Sequence, residues 1–159
     1  MTQHTARCLI LACGNTLRSD DGVGPWLAGW AEERFQADDR VRVISRQQWT
    51  PELAEEIAAA DSVLFIDCSI ASEPGSVLLE EVQPAAAGEG LATHHVGAPE
   101  LLALTKELYG SLPSRALMLT IGAESTELGE LFSGTVLYAI AEACSVLEST
   151  IPDLLGGNA

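Results

Sequence analysis

Lysine is almost absent from this chain. Its 159 residues include one lysine, Lys106, and seven arginines against 23 acidic side chains, a formal net charge of −15. Phosphate backbones are bound by clustered Lys and Arg, so this balance excludes a nucleic-acid partner. Long apolar runs are missing too: none approaches the ~20 residues that cross a bilayer as a helix, which argues against a membrane partner. The four cysteines, Cys8, Cys13, Cys68 and Cys144, form no Cys-x-x-Cys pair. They read as small buried hydrophobes in a reducing compartment. The opening Met1–Arg7 is polar and does not resemble a signal peptide, so the expected compartment is the cytoplasm. Most of the acidic excess reads as solvated surface, and it would suit a basic partner segment.

The length fits one domain over residues 1–159, with 1–6 and 156–159 frayed at the ends. Strand and helix signals alternate along it. Arg7 to Cys13 and Ser62 to Asp67 are continuous apolar runs, the mark of buried central strands. Val41 to Arg46 alternates with period two, Ser76 to Val82 is a short strand, and Ala116 to Ile121 is a third apolar strand. Helices are expected at Gly22–Phe35, with Val23, Trp26, Leu27, Trp30 and Ala31 on the inner face. A second runs from Pro51 to about Ala60, capped by Thr50, with Leu53 and Ile57 inward. A third starts at Pro99 with Leu101, Leu102, Thr105 and Leu108, stopping at Gly110. The last spans Gly134–Leu147 with Leu137, Ile140, Cys144 and Leu147 inward. This order predicts an α/β fold: a single-domain three-layer sandwich, a mostly parallel twisted sheet with helices on both faces.

Three polar clusters fall at predicted strand ends. Gly14-Asn15 breaks the first strand, and the adjacent carboxylates Asp20 and Asp21 follow before Gly22. Asp67 closes the Val-Leu-Phe-Ile run. His94 and His95 follow the small-residue loop 83–91. Buried charge is costly unless paired or metal-bound, so the acidic pair is expected to face solvent or a ligand. In parallel sheets ligands sit at the carboxyl ends of strands. Two carboxylates and one imidazole there would make a three-ligand site for nickel or zinc. Each residue also has a plainer reading. Asp67 could cap a turn, Ser19 and Asp20 could cap the following helix, and a loop histidine is commonly a surface group. Cys68, next to Asp67, could line the site. Phosphate binding at Gly14-Asn15 is discounted, because two carboxylates would repel it. The same Gly-Asn start occurs in peptidyl-tRNA hydrolases, but Thr16-Leu17 and the net charge speak against that class.

The run Ala12-Cys13-Gly14-Asn15-Thr16-Leu17-Arg18-Ser19-Asp20-Asp21-Gly22-Val23-Gly24 resembles the opening motif of the hydrogenase maturation proteases, departing from it at Ala12. Pro74-Gly75-Ser76-Val77 after Asp67, and Thr93-His94-His95-Val96-Gly97 before a Leu-rich helix, are similar to the family's later markers. The likeness extends through Thr50–Ala54, Leu119–Gly122 and Gly129–Ser133. Where some members carry a glycine-rich stretch after the strand-end aspartate, this chain has Cys68-Ser69-Ile70-Ala71.

The resemblance implies an endopeptidase that removes the C-terminal extension from the large-subunit precursor of a nickel–iron hydrogenase, cutting after a basic residue. It implies Asp21, Asp67 and His94 as the nickel-contacting and catalytic residues, with His95 as fallback and Gly14, Asn15, Asp20 and Gly22 as the supporting loop. The nickel is implied to arrive with the substrate as its recognition signal, and other divalent cations could occupy the site in isolation. A non-catalytic chaperone that holds the metal or the nascent subunit needs the same residues and stays open as the alternative.

Overall fold

The computed structural model describes residues 7–86 and 96–156. Strands β1 (Cys8–Cys13), β2 (Val41–Arg46), β3 (Ser62–Ser69), β4 (Val77–Glu81) and β5 (Arg115–Gly122) form one sheet in the order β2-β1-β3-β5-β4. Every ladder is parallel except β4 against β5. The continuous apolar runs occupy the centre because both their faces are covered. All of β1 is buried, and so is β3 from Ser62 to Ile66. The exposed edge strand β4 ends in Glu80-Glu81, and charge on an edge discourages pairing with another chain.

Side chains alternate across the sheet and so feed two cores. Ile10, Ala12, Leu64, Ile66, Leu119 and Ile121 meet helices α1 (Val23–Arg34) and α4 (Gly134–Leu154). Leu9, Leu11, Val63 and Phe65 meet α2 (Ala54–Ala58) and α3 (Ala98–Tyr109) on the other face. This is the expected three-layer sandwich. Its topology also creates a crevice: β1 leads outward to β2 while β3 leads toward β4 and β5, so connections leave the neighbouring carboxyl ends of β1 and β3 in opposite directions.

Three helix faces differ from expectation. In α1 the buried residues are Val23, Gly24, Leu27, Ala28 and Ala31, whereas Trp26 is 44% exposed. The cause is close approach to the sheet: a Cβ at Gly24 would lie 2.4 Å from the Cys13 carbonyl oxygen. The small-residue side therefore faces in, and Trp26 turns out. In α4 the inner stripe is Val136, Ala139, Ala143, Leu147 and Ile151, so Leu137, one residue round the helix, faces solvent. That helix continues well past Leu147. In α3 Leu108 is likewise exposed while Leu101, Leu102 and Thr105 are buried. Thr50 does not cap a backbone amide. Its hydroxyl donates to Glu52 Oε1 at 2.9 Å, and the helix opens with a 3-10 turn, Pro51–Leu53, ahead of α2.

Candidate active site

The chain leaves β1 through Gly14, whose φ of +152° and crowding both demand glycine: a Cβ there would lie 2.0 Å from the Asp21 carbonyl oxygen. Asn15 then folds an Asx turn, its Oδ1 accepting from the Leu17 amide at 2.9 Å. A 3-10 turn, Ser19–Gly22, follows and delivers Asp21 back above the strand end. The Asn15 amide donates to Asp21 Oδ2 at 2.7 Å, and the Cys68 thiol donates to Asp21 Oδ1 at 3.2 Å.

Asp67 arrives from β3. Its Oδ1 accepts from the Cys68 amide at 2.8 Å. Burial raises its pKa to about 6, against the pull of hydrogen bonds from the Cys13 thiol and the Cys68 amide and with a further push from the Asp21 charge. Burial likewise pushes up the Cys68 thiol, helped by neighbouring Asp21 and Asp67. Donor atoms of Asp21, Asp67 and Cys68 all lie within 4.8 Å of one another. Two carboxylates and a sulfur at that spacing form a cluster able to hold a divalent cation.

Asp20 corrects the expectation that both members of the acidic pair face solvent or a ligand. It is fully buried and caps no part of α1. Its carboxylate accepts from the amides of Glu124 (2.9 Å), Ser125 (3.0 Å) and Ser133 (2.8 Å) and from the Ser133 hydroxyl (2.8 Å). Burial opposes its charge, but these donors outweigh it and hold the carboxyl below its ordinary pKa. The loop is tied again where the Ser19 amide meets the Gly129 carbonyl at 2.7 Å. Asp20 thus anchors the turn that presents Asp21.

The cluster opens into a cleft of about 420 Å³, lined among others by Arg18, Gln47, Gln48, Trp49, Val96 and Gly97. His94 and His95 lie outside the described residues. Gln47, Gln48 and Trp49 were not legible as site residues. They follow β2, whose end flanks the same crevice, and their only signal was that position. Trp49 is 4% exposed, stands edge-on to Phe65 at 5.2 Å, and has a buried indole N–H with no partner among the described residues. No helix among the described residues is long and apolar enough to cross a membrane.

No protein-family model matches the chain. Over 125 residues it is 24% identical to the hydrogenase 2 maturation protease of Escherichia coli K12, covering 76% of each sequence. It is also 27% identical over 140 residues to the hydrogenase expression/formation protein HupM of Azotobacter chroococcum, spanning 86% of this chain and 65% of that protein. By sequence the chain is similar to the hydrogenase maturation proteases. Its fold agrees with theirs. The E. coli maturating endopeptidase HybD superposes with a TM-score of 0.73 at 19% identity, covering 92% of this chain and 93% of that one. The nickel–iron hydrogenase maturation protease HycI of Thermococcus kodakarensis superposes with a TM-score of 0.67 at 25% identity, covering 95% and 93%.

Proposed function

We propose that this chain is a cytoplasmic endopeptidase, a single domain over residues 1–159, that trims the C-terminal extension from the large-subunit precursor of a nickel–iron hydrogenase. The substrate's nickel serves as the recognition signal. The observation that carries this reading is the meeting of Asp21 and Asp67, far apart in sequence, at one cleft mouth in a chain related to the maturation proteases.

Asp21 and Asp67 contact the substrate's nickel, and His94 supplies the third contact, with His95 as fallback. The histidine assignment is supported by Val96 and Gly97, the next residues along the chain, which line the cleft. Oxygen and imidazole donors can complete an open coordination sphere on nickel, turning metal loading into binding energy. A precursor without nickel lacks that contact and is not held in register. The acidic cleft also suits the basic residue that precedes the cut.

Within the cleft the two carboxylates differ. Asp21 is oriented by Asn15 and Cys68 and serves as the firmer ligand. Burial holds Asp67 at a pKa of about 6 before nickel arrives; ionised beside the substrate, its carboxylate is placed to take a proton from an attacking water.

Incubation with nickel-loaded and metal-free precursor, followed by mass spectrometry of the partner, tests the reading. Trimming only of the loaded form is expected, and Asp21→Asn and Asp67→Asn should each abolish it. Equal cleavage of both forms removes the recognition role. An unchanged partner mass in a stable complex would instead mark a chaperone.

A further inference from the structure

We infer that Cys68 is a further metal ligand of this cleft, a sulfur donor that joins Asp21 and Asp67 around a bound divalent cation and biases the site toward nickel, cobalt or zinc over magnesium. The inference rests on the reading of this cleft as a place where a cation is held. Cys68 touches both carboxylates: its amide donates to Asp67 Oδ1 at 2.8 Å and its thiol to Asp21 Oδ1 at 3.2 Å. Its Sγ and one oxygen from each aspartate lie within 4.8 Å of one another, so one ion between them can reach all three.

The chemistry follows from the donor set. Carboxylates alone accept magnesium, calcium and manganese readily, whereas a thiolate favours the softer late first-row ions. Without a cation the Cys68 S–H occupies Asp21 Oδ1. When a cation enters, the sulfur–metal bond forms, the thiol proton leaves to solvent, and Asp21 Oδ1 is released for the metal. Cys68 thus holds the carboxylate in place and then exchanges its proton for the ion. The neighbouring Cys13 is not among the donor atoms that meet within 4.8 Å of one another.

Cobalt(II) titration of the metal-free protein, followed by near-ultraviolet absorption, tests the assignment without reference to proteolysis. The wild type should develop a thiolate-to-cobalt charge-transfer band, and Cys13→Ser and Cys144→Ser should keep it. Cys68→Ser should lose the band and bind cobalt about tenfold more weakly or worse, with magnesium affinity changed less than about twofold. Failure of the wild type to bind cobalt, binding without the band, survival of the band in Cys68→Ser, or its loss in Cys13→Ser would each overturn the inference. Should Cys68→Ser not fold, alkylation of the wild type reads the same contact: zinc should protect Cys68 from iodoacetamide, and undiminished modification would overturn the ligand role. Precursor trimming is scored separately. Trimming without the band would sink the sulfur ligand alone, and the band without trimming would sink the protease reading alone.

Discussion

Ser133 holds Asp20 with two bonds, its amide donating to Oδ1 and its hydroxyl to Oδ2, each at 2.8 Å. The same hydroxyl accepts from the Val136 amide at 3.2 Å and so caps helix α4. One serine therefore ties the start of the last helix to the turn that carries Asp21. Asp20→Asn would turn an amide donor toward groups that are themselves donors. We expect a loss of about 2–4 kcal/mol in urea unfolding. Cation affinity in the folded fraction should fall as well, because the Asp21 turn loses its anchor.

Asp20 should also shape acid stability. Its carboxyl titrates below its ordinary value in the folded protein, so in acid the unfolded chain binds the extra proton and stability rises with pH. The contribution is complete above the unfolded value of about 4 and is lost as pH falls through the folded one. Unfolding measured from pH 6 down to pH 2 should show a shallower acid slope in Asp20→Asn than in wild type.

Asp67 has the opposite sign. Its folded pKa of about 6 lies above the unfolded value, so between about pH 4 and 6 the folded state binds more protons and stability falls as pH rises. The penalty is complete above pH 6. Asp67→Asn should therefore raise the melting temperature at pH 7.5, corresponding to about 1–2 kcal/mol, with a smaller gain at pH 4.5. The same variant should lose divalent-cation binding. A variant that is less stable than wild type at both pH values would contradict the account of the buried carboxylate.

Gly14→Ala probes the approach of the β1 loop to Asp21. The added methyl would overlap the Asp21 carbonyl at 2.0 Å, and φ of +152° adds strain. We expect about 3 kcal/mol or more of destabilisation and displacement of Asp21. Thermal unfolding and cobalt titration of the variant check both parts.

Trp49 separates packing from polarity. Trp49→Phe removes a buried donor that has no partner among the described residues and keeps an aromatic ring against Phe65, so stability should change by less than about 1 kcal/mol. Trp49→Ala leaves a cavity and should cost about 3–5 kcal/mol. Equal losses in the two variants would mean that the indole N–H has a partner.

Much of the layer order was legible because burial on both faces writes itself as continuous apolar runs, seen in Leu9–Ala12 and Val63–Ile66. Asp21 and Asp67 were legible for a related reason: carboxylates stand out where such runs end. Asp20 was misread. Its burial depends on donors at Glu124, Ser125 and Ser133, more than a hundred residues away, and no local pattern announces them. Trp26 and Leu137 were misread because periodicity finds a helix more readily than its rotation. For α1 the rotation was decided by how closely Gly24 lets the helix approach the Cys13 carbonyl.

By itself, the amino-acid order determined the alternation of strands and helices, the central place of β1 and β3, and the two carboxylates at their ends. These follow from local periodicity and from the cost of burying charge, which act over a few residues. Only the tertiary structure decided that Cys68 bridges both carboxylates, that Gln47, Gln48 and Trp49 wall the same cleft, and that Asp20 is an internal anchor. The first two relations arise at the carboxyl ends of β1 and β3, where the strand order reverses, and the third reaches the segment after β5; all depend on packing rather than on sequence spacing.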